Sequence, residues 1–418
     1  QWVQVKANSA LEASILTRMS AVEARDTKLE AANAVRVANQ AERDSVYPAP
    51  VQGNTVFRAD LGYEEKYYAA YNSSTNPDGT TGTIGWYEYR GGAPLSENKV
   101  INGAFDFWQR GTSFTPTNGS WSADRYQVAF DGTGSTRSIS QQTFTPGTEP
   151  DSTAGADYFL RYAQTVAGTS GTYSTLQHKV EDVRSLAGQT ITVSFYAKAA
   201  ATTVIPKLSM DQYFGVGGSA DVRNNFATSV SIGTSWQRYA YTYNVPSISG
   251  KTIGAGSLLQ LEINMPLNTT YTVDFWGIQI EEGPVPTPFR RNQENIQAEL
   301  AACQRYYFRK SADAGTMFFE FGMGLASSTG QIFCKIDFPV KMRAIPSTTP
   351  DMSAYNTFSI EGIGSPGVIT GSSTSPGART SSYQAYLNLY ATGLTTGQPY
   401  RVVANLTDTA YVGFSAEL

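Results

Sequence analysis

The sequence predicts a mainly β protein, an N-terminal helical (coiled-coil) stem followed by two β-sandwich modules. Three observations carry this. Val3 to Ser45 contains no Gly or Pro and is dominated by Ala, Glu, Arg, Leu and Val, a strongly helical composition. The remainder is rich in Gly, Ser, Thr, Asn, Tyr and Phe, with only 16% charged residues over the whole chain, which suits short strands joined by tight turns. Stretches alternating polar and apolar residues then recur from Val100 onward.

At 418 residues the chain exceeds what one hydrophobic core serves, so two or three domains are expected. The stem, residues 1–46, would be roughly 60 Å long if unbroken, at ~1.5 Å per residue. Ile15, Val22 and Leu29 recur every seven residues, flanked by Leu11 and Met19, as a coiled-coil seam requires. Asp26 and Asn33 fall where the second apolar row should run, which predicts weak self-association or a register fixed by a buried Asn. Its balanced charges favour pairing between chains over membrane adsorption. Tyr47-Pro48-Ala49-Pro50 ends the helix. Residues 47–95, with Phe57, Tyr63, Tyr67, Tyr68, Tyr71, Trp86, Tyr87 and Tyr89, form a small aromatic-rich collar.

Residues 96–291 make the first sandwich. Thr190 to Ala197, Trp236 to Val245, Leu258 to Met265 and Tyr271 to Ile280 all alternate as strands with one buried face. Residues 292–418 begin with a short helix, since Ile296, Leu300 and Cys303 sit at helical spacing, and continue as a second, smaller sandwich with strands in Thr316 to Phe338, Tyr383 to Tyr390, Tyr400 to Ala404 and Ala410 to Phe414. No fixed-period repeat suggests a solenoid or propeller.

A formal charge of −4 with no basic stripe excludes a pervasive nucleic-acid interface. No run reaches the roughly 20 apolar residues needed to cross a bilayer, so no membrane insertion is expected. Cys303 and Cys334 are too few for a disulfide scaffold or a four-ligand zinc site; two buried thiols are expected, with a pair as the alternative. The sole histidine, His178, has no nucleophile motif beside it and is expected as an ordinary strand residue. Asp106, Asp211, Glu281 and Glu282 are the carboxylates a glycoside hydrolase could use, but their spacing gives no pair. No cofactor is expected; Asp106 and Asp274 could help hold a structural calcium. Gly215-Val216-Gly217-Gly218 lacks the Lys-Ser and helix of a phosphate cradle and is a loop.

The positive signal is aromatic. A sugar ring offers an apolar C–H face that stacks on Trp or Tyr, while its hydroxyls need amide, carboxylate or guanidinium partners. Trp121 beside Asp124-Arg125-Tyr126, and Tyr213 beside Asp211, supply both kinds, so these six are the candidate carbohydrate-binding residues. Trp108 and Trp276 lie among apolar neighbours and are expected in cores.

The stretch from Asn102 to Phe114 (NGAFDFWQRGTSF) with Ala123-Asp124-Arg125-Tyr126 resembles the opening of a head module common in phage tail-fibre and related receptor-binding virion proteins. Glu281-Glu282-Gly283, Thr287-Pro288-Phe289, Glu299 to Tyr307 and the final Phe414-Ser415-Ala416-Glu417-Leu418 resemble later landmarks of such fibres. Leu186 to Ala199, Trp236-Gln237-Arg238-Tyr239 and Val273-Asp274-Phe275 are similar to strands of jelly-roll carbohydrate-binding modules. Tyr126 stands where Trp is commoner, and Arg290 where an acidic residue is common. The resemblance implies jelly-roll-like modules in a virion appendage, a homotrimer joined to other virion proteins through its stem, and non-catalytic attachment to host-surface glycan. A purely structural fibre or adaptor is the first alternative; a polysaccharide depolymerase spike is the second.

Overall fold

The computed structural model describes residues 97–418 apart from 152–154, 347–348, 363–368, 370 and 375–379; of residues 1–96 it describes Ala41, Ser45 and four strands. The chain divides into two compact units, Gln1–Ser96 and Glu97–Leu418.

In the first unit, β1 (Val35–Val37), β2 (Thr55–Arg58), β3 (Tyr63–Tyr68) and β4 (Gly85–Tyr89) form one sheet in that order. β1 runs parallel to β2, and the other pairs are antiparallel. Val35–Val37 corrects the expectation of an unbroken helix to Ser45, because two β-branched valines flanking an arginine suit an extended chain. The coiled-coil seam from Leu11 to Asn33 lies outside the described residues.

The second unit is mainly β and antiparallel. Its strands are β5 (Ser113–Phe114), β6 (Ser120–Trp121), β7 (Tyr126–Phe130), β8 (Thr136–Thr143), β9 (Tyr158–Val166), β10 (Ser174–Glu181), β11 (Thr190–Ala199) and β12 (Thr203–Tyr213). They continue with β13 (Val222–Ile232), β14 (Gln237–Asn244), β15 (Leu258–Asn264) and β16 (Tyr271–Glu282). Two six-stranded sheets result, in the orders β13-β12-β15-β10-β7-β6 and β14-β11-β16-β9-β8-β5. Apart from the β6-β7, β8-β9 and β12-β13 pairs, successive strands from β6 to β16 lie in different sheets, which is jelly-roll-like connectivity.

Leu176, Val180, Val193, Phe195, Leu208, Met210, Leu261, Ile263, Val273 and Phe275 fill the space between the two sheets. β11 departs from simple alternation, since Thr192 and Ser194 are buried as well as Ile191 and Val193. The reason is a second apolar layer: Phe144, Phe159, Trp276 and Phe289 cluster with Tyr196 and Trp236 packed against them. Trp108 and Trp276 are buried, as their apolar neighbours predict.

Helix α1 (Ile296–Gln304) begins at Asn295, whose side chain accepts from the Ala298 amide at 2.9 Å. Its buried residues are Glu299 and Cys303, with Leu300 half-buried and Ile296 exposed, so Glu299 takes the place beside Cys303 that the apolar spacing gives to Ile296. The carboxylate of Glu299 accepts the amides of Asn102 and Gln293, which makes a charged side chain the anchor.

Beyond it lie β17 (Tyr307–Ser311), β18 (Glu320–Ser328), β19 (Gln331–Asp337), β20 (Asp351–Met352), β21 (Phe358–Glu361), β22 (Gly371–Thr374), β23 (Gln384–Tyr390), β24 (Pro399–Ala404) and β25 (Tyr411–Ser415). They form sheets ordered β17-β25-β20 and β21-β24-β18-β19-β23-β22 around a separate core that includes Phe321, Ile332, Cys334, Leu387, Val402 and Phe414. Both cysteines are buried free thiols.

Candidate functional site

The resemblance motif builds a buried junction between the two cores. Asn102, in the left-handed region at φ 62°, donates from its carboxamide to the carbonyls of Phe107 (2.9 Å) and Asp124 (3.0 Å) and accepts from the Phe107 amide (3.0 Å). Gly103 is required next to it, because a Cβ there would stand 2.2 Å from the Ile278 carbonyl oxygen.

Three of the six candidate binding residues belong to this junction, and the structure corrects their exposure. Asp124, Arg125 and Tyr126 are each only 1% exposed. Asp124 accepts from the Gln109 amide (3.1 Å) and carboxamide (2.6 Å), and burial, opposed by Arg110, pushes its carboxyl up to about 6. Arg125 is ion-paired with Glu417, donates to the Lys179 carbonyl at 2.7 Å and lies 3.5 Å from the centre of the Tyr306 ring. Tyr126 packs between Phe105 and His178. All three turn inward, with the Asp124 carboxylate and the terminal Arg125 nitrogens held by protein partners, which leaves them no sugar-facing surface.

His178 shares that interior. Its Nε2 faces the Ile101 carbonyl at 3.1 Å, so this nitrogen carries the proton, and burial together with nearby Arg125 pulls its pKa down to about 3. The imidazole is a neutral packing group.

The other three candidates share the face of the sheet β13-β12-β15-β10-β7-β6 that turns away from the core, where Trp121 and Tyr213 are half-buried and Asp211 is only 2% exposed. The face follows from register. Val128, Leu176, Ile263 and Leu208 stand opposite one another and point into the core. One position along, Trp121, Gln127, Gln177, Glu262, Ser209 and Asn225 are aligned partner to partner across all six strands, on the opposite face. Five strand spacings make this row about 24 Å long, at ~4.8 Å each. Two residues on, Lys179, Gln260, Asp211 and Arg223 form a second row, and Tyr213 follows Asp211 on β12.

Side-chain hydrogen bonds knit the rows together. Gln177 donates to Thr175 Oγ1 (2.9 Å) and Glu262 Oε1 (3.1 Å), and Gln260 donates to the same Glu262 oxygen (2.6 Å) and to the Tyr213 hydroxyl (3.4 Å). Asn264 donates to Ser209 Oγ (3.2 Å), which donates to Asn225 Oδ1 (2.9 Å). Arg223 lies 5.4 Å from the Tyr213 ring centre. Burial and the Glu262 carboxylate push Asp211 up to about 6 and the Tyr213 hydroxyl up to about 12. At the other end, three cations surround the half-buried Trp121 ring: Lys179 at 5.2 Å, Arg110 at 5.7 Å and Arg125 at 6.0 Å.

The raised pKa of Asp211 has a testable sign. Its folded-state value lies above the ordinary 3.8, so the stability it lends is fully present below that value and is lost as pH rises through about 6. Asp211→Asn, which keeps an acceptor for the Asn224 amide at 3.2 Å, is expected to raise the melting temperature at pH 7, with the gain shrinking towards pH 4. A variant less stable than the parent at pH 7 would show that the charge is not opposed by its surroundings.

The remaining sequence candidates are dispersed. Asp106 is held by Arg291 (2.7 Å) and Asp274 by Arg161 (2.7 Å). Glu281 is buried and accepts from Thr287 and Gln279, while Glu282 is exposed at the end of the strand. The carboxylate on the Asp211 face is Glu262. Among the described residues no group of three or more His, Cys, Asp or Glu side chains could hold a metal ion.

Glu262 and the glutamines carry a weak signal in the sequence: in LLQLEINM, Gln260, Glu262 and Asn264 recur at every second position. Nothing in the sequence, however, places them beside Gln177, Ser209 or Trp121.

No protein-family model and no curated protein matches the chain. Among solved structures, a family 4 carbohydrate-binding module is similar at 17% identity, covering 44% of this chain and 99% of its own, with a TM-score of 0.28. The enzymatically active domain of tailspike protein 4 of bacteriophage CBA120 is similar at 15% identity over 40% of this chain and 21% of its own (TM-score 0.26). An apo cyclase from Fischerella sp. is similar at 12% identity over 47% of this chain and 100% of its own (TM-score 0.31). At such TM-scores none of these likenesses bears on function.

Proposed function

We propose that this chain is a phage fibre protein that attaches to host-surface carbohydrate through the outward face of the sheet β13-β12-β15-β10-β7-β6, without a catalytic step. The observation that carries the reading is the aligned row from Trp121 to Asn225, with Tyr213 beside it. A sheet face that packs against no core needs no ordered layer of interlocked carboxamides, carboxylates and hydroxyls, yet here Gln177, Ser209, Asp211, Gln260 and Asn264 are packed down to 8% exposure or less. Such a layer, bracketed by a Trp and a Tyr, supplies both groups a polyol demands: hydrogen-bond partners in one plane and ring faces for its C–H surface.

The virion setting and trimeric assembly rest on the sequence resemblance, and self-association on the heptad pattern of the stem. In an assembled fibre, tethered copies of a weak site gain avidity of ~10²–10⁴ without new contacts. A glycan array probed with the intact chain and with a Tyr213→Ala/Gln260→Leu variant tests the reading. The variant is expected to lose at least about tenfold in affinity, as removal of one ring face and one acceptor of ~1 kcal/mol each implies. Unchanged binding by the variant would remove the face from the mechanism.

One observation favours the scaffold alternative. On the sheet of the second core, Met323 is 56% and Leu325 59% exposed, side by side on β18, as a protein-contact surface would be. Cell adhesion separates the two readings, since a scaffold would not adhere.

A further inference from the structure

We infer, resting on the glycan-attachment reading above, that the face selects uncharged glycans and that Glu262 sets this selectivity. Glu262 Oε1 receives one N–H from Gln177 and one from Gln260. A carboxylate can only accept, so both carboxamides must turn their NH2 groups towards it. The second N–H of each is also used, by Thr175 Oγ1 for Gln177 and by the Tyr213 hydroxyl for Gln260. Both glutamines therefore keep only their carbonyl oxygens for a ligand.

With Asp211 next to Gln260, the middle of the face becomes a strip of acceptors: two amide carbonyls and two carboxylates. Sugar hydroxyls are donors and satisfy such a strip. A uronate, sulfate or phosphate group is an acceptor bearing negative charge; over Glu262 it would meet a carboxylate and find the N–H groups of both neighbouring glutamines already used. None of the cations of the face is the cross-strand partner of Glu262. Arg223 stands opposite Asp211 and lies against Tyr213, Lys179 stands opposite Gln260 and donates to the Leu418 carbonyl at 2.7 Å, and Lys207 is aligned with Asn264.

Glu262 thus does two things, which two substitutions separate. Glu262→Gln keeps an oxygen to receive both amides and removes the charge. Glu262→Ala removes the charge and frees both carboxamides to rotate.

The experiment is titration of the intact chain and both variants with oligosaccharides in matched pairs, each neutral member set against a counterpart carrying carboxylates. The parent is expected to bind neutral members at least about tenfold more tightly than their acidic counterparts. Glu262→Gln should narrow that gap, whereas Glu262→Ala should lose about tenfold on the neutral members. Equal or preferred binding of acidic members by the parent overturns the selectivity while leaving glycan attachment intact. A gap that persists in Glu262→Gln overturns the assignment to Glu262. Failure of the parent to bind any member overturns the attachment reading and this inference with it.

Discussion

Glu417→Ala is expected to cost the second unit about 3–5 kcal/mol, the penalty for stranding a buried charge. Arg125 has no exposed side-chain surface and Arg110 only 9%; Glu417, itself 5% exposed, pairs with both, at 3.1 Å from Arg110. Alternative compensation is limited. Arg125 would keep the Lys179 carbonyl as one hydrogen-bond acceptor and the Tyr306 ring, neither of which neutralises it. Arg110 would keep Asp124 at 3.9 Å, a carboxyl that burial holds up to about 6 and that is therefore a weaker anion than Glu417. Glu417→Gln, which retains an acceptor, should recover part of the loss. Urea unfolding of the three proteins reads this out, and a change below about 1 kcal/mol for Glu417→Ala would mean that water reaches the arginines. The ion pair spans 292 residues and joins the two cores, so its loss should also separate their unfolding transitions.

Trp276→Ala should be comparably destabilising for a different reason, a cavity worth about 3–5 kcal/mol. Trp276 is wholly buried, with ring centres of Phe289 at 4.8 Å, Tyr196 at 5.4 Å and Phe144 at 6.2 Å. Because this layer covers the outer face of its sheet, the substitution should lower the unfolding midpoint while leaving the polar face of the opposite sheet able to bind. A loss of binding as large as the loss of stability would mean that the two faces are not independent.

These cases mark what the sequence made legible. Alternation exposed β11, β14, β15 and β16, because a strand with one apolar face writes its period into the chain. The burial of Trp108 and Trp276 followed from their apolar surroundings, whereas the sequence left His178 a strand residue of undecided exposure. Asp124 and Arg125 drew notice as a carboxylate and a guanidinium beside Trp121, and their burial is not written locally. The partners of Arg125, Glu417 and the Lys179 carbonyl, are far along the chain. Helix α1 was legible from its spacing, but the burial of Glu299 was not, since the amides that recruit it belong to Asn102 and Gln293. The candidate site was half legible: Asp211 and Tyr213 drew notice as an acid beside an aromatic, but the row that makes them a surface is a property of register among strands from Ser120 to Asn264.

Calorimetric titration of a glycan bound by the intact chain tests the location of the site most directly, by setting Tyr213→Ala/Gln260→Leu against Trp236→Ala. Trp236 is a half-buried ring on the opposite sheet layer, flanked by Lys198 at 5.2 Å, and is the strongest rival sugar platform. Binding lost in the first variant and kept in the second is the predicted result; binding kept in the first and lost in the second, with both proteins folded, would contradict it.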